Sequence, residues 1–212
     1  TSIVITSSTI FFVKTYSIST GLGEAINSAF FTSLTLITTT GFTNLNYEDW
    51  NINYRTYILG LMFLGGMAGS TAGGIKTIRV IALLKSVRNE IRKIFYPNAI
   101  FKIRMSKSIL PEKMIESVQT FFILYVAIFV MGTFALSISI NTFGNAISFE
   151  GVLSAVASAM NNIGPGLAEI GPVENYYFLD STSKVILSIL MVIGRLEIFP
   201  IAILLYKKTW KS

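Results

Sequence analysis

Two apolar runs too short to cross a bilayer, each ending in small polar residues and a glycine, constrain this chain more than any other feature. The first covers residues 24–37 and leads into Thr38-Thr39-Thr40-Gly41-Phe42. The second covers residues 149–160 and leads into Asn161-Asn162-Ile163-Gly164-Pro165-Gly166. Each is followed by a polar loop and then by a longer apolar segment. A short helix that dips into a membrane and leaves it as extended chain has this pattern, because irregular backbone at that depth survives only inside protein or against water. The extended residues can turn their carbonyls toward an ion, so the chain reads as part of an ion pathway.

Composition agrees with a membrane setting. Hydrophobic residues make up 52% and charged residues 13%, with a mean hydropathy of +0.63; soluble domains carry about a quarter charged residues. There is no cysteine and no histidine, which removes disulfides, thiolate metal sites, the usual general base and the usual transition-metal ligand. An enzyme is therefore the poorer reading. The net charge of +6 is concentrated: ten lysines and arginines lie between Lys76 and Lys113, against Glu90 and Glu112. A basic run can bind nucleic acid, but between membrane spans the positive-inside rule explains it better. Residues 76–113 and the C-terminus, with Lys207, Lys208 and Lys211, are expected in the cytoplasm and the two glycine-ended loops outside. Stretches around Glu48-Asp49 and from Glu169 to Asp180 lean acidic.

Residues 115–139 and 185–206 are long enough to cross a core of roughly 30 Å as helices. With residues 149–160 between them they give the order span, re-entrant loop, span. The first half repeats it: residues 3–13 read as the tail of a truncated span in a fragment of a longer protein, followed by the short run 24–37, the threonine–glycine stretch and an apolar run from Tyr57. Setting Gly41 over Gly164 brings Thr35 over Ser158 and Thr38 over Asn161. Identity is weak in that overlay, but the matching order of elements is how membrane repeats show themselves. The expectation is an all-α membrane protein with one unit over residues 1–92, a basic cytoplasmic connector over 93–113 and a second unit over 114–212. The aromatic pairs Phe121-Phe122 and Tyr176-Tyr177 read as lipid-facing or interfacial.

The second span of the first unit is interrupted by Gly65-Gly66-Met67-Ala68-Gly69-Ser70-Thr71-Ala72-Gly73-Gly74. Glycine costs about 1 kcal/mol relative to alanine inside a helix, so five of them should break it. Small residues also make close helix-packing surfaces, but a flexible loop beneath the carbonyl column, acting as a gate, accounts for more of the pattern. The column itself would come from Thr39, Thr40, Gly41 and Phe42 and from Ile163, Gly164 and Pro165. The helix C-termini before them carry about half a negative charge, which favours a cation. Neither loop holds a carboxylate ring, so the ion is expected to be monovalent. Arg195 and Glu197 lie within the last span, where charges are expensive and usually functional. Arg195 is expected to meet the carbonyls of the glycine-rich loop or the Ser70 and Thr71 hydroxyls and to oppose cation passage. A structural pair with a distant carboxylate is the other possibility. Glu197 reads as structural.

TTTGF, GGMAGSTAGGIK, the Pro97-Asn98-Ala99 stretch, NNIGPG and GRLEIFP occur in the order found in TrkH potassium-uptake proteins of the Trk/Ktr/HKT superfamily. Across nearly all its length the chain resembles the C-terminal half of such a protein. The resemblance implies four span–loop–span units around one pore, similar to a potassium channel whose subunits are fused, of which this chain matches the third and fourth. It implies K⁺ as the transported substrate without a cofactor, a filter at Thr39, Thr40, Gly41, Phe42, Asn162, Ile163, Gly164 and Pro165, and a gate at Gly65, Gly66, Gly69, Ser70, Thr71, Gly73 and Gly74 with Arg195. It also implies a homodimer in a prokaryotic inner membrane, regulated by a cytosolic TrkA-like nucleotide-binding subunit. The residues alone leave two other readings open. One is a secondary transporter coupled to H⁺ or Na⁺, with the broken helix as its site; the other is a non-conducting partner subunit.

Overall fold

The computed structural model describes residues 2–19, 21–67, 69–70, 72–96, 99, 102–105, 108–144 and 146–196. The chain is mostly helical. In the first half, α1 (Ser2–Tyr16) packs along α2 (Leu22–Ile37), and α3 (Ile52–Met62) follows the first loop. The strands β1 (Leu64–Gly65) and β2 (Ile75–Lys76) pair in parallel, and α4 (Thr77–Phe95) leads away from them. The antiparallel pair β3 (Arg104–Met105) and β4 (Ser108–Ile109) lies between α4 and α5. In the second half, α5 (Glu112–Phe143) is the one helix among the described residues long and apolar enough to cross a membrane. It is followed by α6 (Phe149–Asn161), a single 3₁₀ turn (Ala168–Ile170) and α7 (Ser181–Leu196). The part of the last apolar run beyond residue 196, with Glu197, and Pro97 and Asn98 lie outside the described residues.

The short runs stay short. Helix α2 has 16 residues and α6 has 13, which at 1.5 Å per residue falls below a full crossing. The interruption after α3 is wide: regular helix ends at Met62 and resumes at Thr77. Helix α4 reaches Phe95 and α5 begins at Glu112, so helix enters both ends of the connector expected over 93–113.

Two apolar clusters form around α6. In one, Val152, Ala155, Val156, Ala159 and Met160 pack with Phe121, Leu136 and Ile140 of α5 and with Leu187 and Leu190 of α7. The other cluster joins Phe11, Leu36, Tyr47, Trp50 and Ile58 to Ala157, Ile163 and Leu167 from the second half. Nearly every residue of α6 is therefore buried, and the second re-entrant helix serves as a common core for both halves. Arg55 of α3 and Glu150 of α6 add an ion pair at 3.3 Å between the halves.

Phe121 departs from the lipid-facing expectation. It is 4% exposed within the α5–α7 core, with the Arg79 guanidinium 4.2 Å from its ring centre. A cation on an aromatic face lets α4 bring its basic surface against the apolar α5. Tyr176 also belongs inside, packed against the same core, whereas Tyr177 is exposed.

Asp180 precedes α7 and accepts from the Ser183 backbone N–H at 2.9 Å, the Ser183 hydroxyl and the Ser139 hydroxyl of α5 at 3.1 Å. It therefore caps one helix and pins it to another. Asp180→Ala should lower the stability of the detergent-solubilised full-length parent by about 1–2 kcal/mol. A reduced thermal unfolding midpoint checks this, and an unchanged midpoint would deny the cap its role.

Candidate functional site

The two helix-to-loop stretches follow the same backbone path. With Gly41 over Gly164, the Thr40 N–H bonds the Thr35 carbonyl at 3.0 Å, and the Ile163 N–H bonds the Ser158 carbonyl at 3.0 Å. One residue earlier, Thr39 N–H reaches the Leu36 carbonyl and Asn162 N–H the Ala159 carbonyl. Thr39 and Asn162 have φ of 53° and 52°, and Gly41 and Gly164 have φ of 80° and 113°. Left-handed backbone recurs at every second residue, which turns successive peptide planes out of the helical direction. A β-branched threonine at positive φ is a marked outlier, and such strain concentrates at sites where geometry matters.

The expected filter carbonyls divide into two sets. The Phe42 carbonyl accepts from the Thr35 hydroxyl at 2.8 Å, and the Gly164 carbonyl accepts from the Tyr176 hydroxyl at 3.0 Å. Among the described residues no donor reaches the carbonyls of Thr39, Thr40, Gly41, Asn162, Ile163 or Pro165. The two stretches are also neighbours: a Cβ added at Gly41 would lie 1.9 Å from the Ile163 carbonyl oxygen. Gly41 is thus required twice, by its φ and by this approach. Gly164 is required by φ alone, since a Cβ there would meet nothing within 4 Å. Helices α2 and α6 both end here, bringing the negative ends of their dipoles to one place.

The glycine-rich segment is stapled at its neck. Beside the β1–β2 pairing, the Thr77 hydroxyl donates to the Gly65 carbonyl at 2.8 Å and the Thr77 N–H to the Gly66 carbonyl at 3.1 Å. The Lys76 ammonium donates to the carbonyls of Ser70 and Ala72, the latter at 3.0 Å. Gly69 and Ser70 are exposed, and Thr71 lies outside the described residues. Arg195 and Gly194 share a cavity of about 200 Å³ with Ser70, Ala72, Gly73, Gly74 and Lys76. The structure thus brings Arg195 beside the loop to which sequence reasoning assigned it.

Sequence reasoning missed three participants. Lys76 read only as a topology signal, although a lysine two residues after a glycine-rich break is a natural ligand for the loop's own carbonyls. Tyr176 read as interfacial, yet it holds the Gly164 carbonyl. Tyr125 gave no signal, and its hydroxyl donates at 2.7 Å to the side-chain carbonyl of Asn161, which is fully buried.

Glu48 lies against Gly171, where an added Cβ would fall within covalent distance of its carboxylate. Burial, together with the charges of Glu174, Asp49 and Glu169, raises the Glu48 carboxyl above its ordinary value. Acidic residues from the exit loops of both halves therefore share one face.

The sequence profile of the TrkH family, described as a cation transport protein, matches residues 2–211. The chain is 32% identical over 187 residues to the Trk system potassium uptake protein TrkH of Escherichia coli, covering 88% of this chain and 37% of that protein. It is 35% identical over 189 residues to TrkH of Vibrio parahaemolyticus, covering 89% and 37%. The crystal structure of the potassium transporter TrkH from Vibrio parahaemolyticus superposes with a TM-score of 0.85 at 32% identity, covering 99% of this chain and 43% of that one. The chain spans well under half the length of these relatives.

Two outcomes follow from the loops. Gly41→Ala should destabilise the folded parent more than Gly164→Ala, which carries only the left-handed penalty of about 1–2 kcal/mol. Thermal midpoints of the two variants measure the difference, and equal losses would contradict the close approach at Ile163. For Glu48, the raised folded value means the folded chain holds its proton more firmly than the unfolded one. Stability is then lost as pH rises from the ordinary value of 4.5 toward the folded value. Glu48→Gln removes that loss, so its thermal midpoint should gain on the parent's as pH rises above the ordinary value of 4.5. Parallel curves would show that the carboxyl is not perturbed.

Proposed function

Because this chain belongs to the TrkH cation-transport family, we propose that it forms the third and fourth units of a K⁺-uptake pore. The observation that carries this reading is the matched backbone of the two loops. Left-handed residues recur at equivalent positions, and unengaged carbonyls lie at 39–41 and 162–163. A dehydrated monovalent cation can replace its water with such oxygens, and the α2 and α6 dipoles hold it there without a fixed carboxylate that would bind it too tightly to leave. Phe42, Gly164 and Pro165 complete the filter as its outer frame, with Thr35 and Tyr176 bracing the first two from behind.

Below the filter, the segment 65–74 acts as the gate. Lys76 gathers its carbonyls, and Arg195 puts a second positive charge beside it in the same cavity. Like charges repel in a setting of low effective dielectric, so a K⁺ ion cannot pass until the loop withdraws. The full protein is a homodimer in the inner membrane with its C-terminus cytoplasmic. A TrkA-like regulatory subunit docks near the basic surface of α4.

Rubidium uptake into proteoliposomes of the full-length parent, with Na⁺ and Li⁺ as competitors, tests the reading. Uptake blocked by K⁺ but not by Na⁺ agrees with it. Equal competition by Na⁺ would replace it with a non-selective cation pathway, and a requirement for a proton or Na⁺ gradient would replace the pore with a coupled transporter. Deletion of residues within 66–73, or Arg195→Ala, should raise unstimulated uptake several-fold. A folded deletion variant with unchanged uptake would remove the gate assignment.

A further inference from the structure

The glycine-rich segment does more than lie beneath the filter. Its neck is closed by β1, β2 and Thr77, and its tip is gathered by Lys76. Between them, Gly73 touches both filter loops. Its N–H donates to the Thr39 side-chain hydroxyl at 3.0 Å. Its Cα faces the Asn161 backbone carbonyl so closely that a Cβ would lie 1.9 Å from that oxygen. Thr39 opens one filter stretch and Asn161 immediately precedes the other, so one residue of the segment bridges the inner ends of both.

That bridge is held from behind. Asn161 is fully buried, its Oδ1 accepts from Tyr125 at 2.7 Å, and its Nδ2 donates to the Ala157 carbonyl at 2.7 Å. A Cβ at Gly74 would come within 3.1 Å of the same Oδ1. The Asn161 carbonyl is therefore a fixed wall, and Gly73 fits it only because it has no side chain. Thr39, held at positive φ, has its hydroxyl turned to the segment.

Building on the pore reading above, we propose that the Gly73–Thr39 hydrogen bond is a latch, with Thr39 as the positioning residue that couples gate closure to ion occupancy at the inner end of the filter. The physical reason is electrostatic. The Gly73 N–H presents its positive end to the Thr39 oxygen, and a cation at the inner filter site seeks the same electron-rich region. The two compete, so an ion there weakens the latch. Linkage makes the coupling reciprocal: a released segment leaves the inner site with higher cation affinity. Permeant ions then favour their own passage, whereas a vacant inner site favours closure.

The test uses the full-length parent in proteoliposomes with Rb⁺ as the ion. Thr39→Val keeps the shape of the side chain and removes the acceptor, and it should raise unstimulated Rb⁺ uptake about two- to tenfold, the range a single hydrogen bond commands. Thr39→Ser keeps the acceptor and should return uptake toward the parent level. Position 72 supplies a readout that loss of packing would not imitate. In a cysteine-free parent background, an Ala72→Cys thiol should react faster with a maleimide in Rb⁺ than in an impermeant organic cation, and Thr39→Val should abolish that difference. Tyr125→Phe, which loosens Asn161 from outside the pore, should move both readings in the same direction and serves if Thr39→Val does not fold. Thiol reactivity independent of Rb⁺ in the parent, or a folded Thr39→Val with parental uptake and labelling, would overturn the latch. A folded parent that takes up no Rb⁺ even with residues within 66–73 deleted would sink the pore reading instead, and Rb⁺-dependent labelling in that protein would still support the latch.

Discussion

Backbone that leaves a helix inside a bilayer has no water to satisfy it, and its amides and carbonyls must be met by protein, by a water-filled path or by a permeating ion. Three departures from helix among the described residues obey that constraint. The turn after α2 bonds back to Thr35 and the turn after α6 bonds back to Ser158. The broken segment after α3 closes on itself through β1, β2, Thr77 and Lys76. Among the carbonyls that no donor reaches in the described residues are those at the ends of two helices. Those are the groups a cation can take.

The same constraint explains why α6 sits at the centre. A re-entrant helix must be walled by other elements, and α6 is enclosed by α5 and α7 on one side and by the α1–α3 cluster on the other. Its buried serines find partners in the loop that follows, as Ser154 does at the Leu167 N–H and Ser158 at the Gly164 N–H. Helix, turn and return loop thus form one unit, so the position of the carbonyls after α6 is fixed by packing several residues away.

Much of this was legible in residue order. The lengths of the runs before TTTGF and NNIGPG announced helices that cannot cross, and the overlay of Gly41 on Gly164 anticipated backbone that matches residue for residue. Five glycines in ten residues announced the interruption between Met62 and Thr77. What stayed hidden depends on contacts between distant positions. No local pattern says that Tyr125 supports Asn161 across 36 residues, or that Phe121 turns inward to meet Arg79. Nor does spacing distinguish a carbonyl that faces an ion from one already held, as those of Phe42 and Gly164 are. Charge counting assigned Lys76 to a cytoplasmic surface because composition cannot show a lysine folding back onto carbonyls four and six residues before it.

The carbonyls beside the ends of α2 and α6 are the proposed seat of a monovalent cation. Anomalous scattering from thallous ion in crystals of the full-length parent tests that seat most directly. The expected result is a thallium peak bounded by the carbonyls of Thr40 and Gly41 on one side and of Ile163 on the other, diminished by excess K⁺. A filter region without thallium, in crystals that bind the ion elsewhere along the protein, would contradict it.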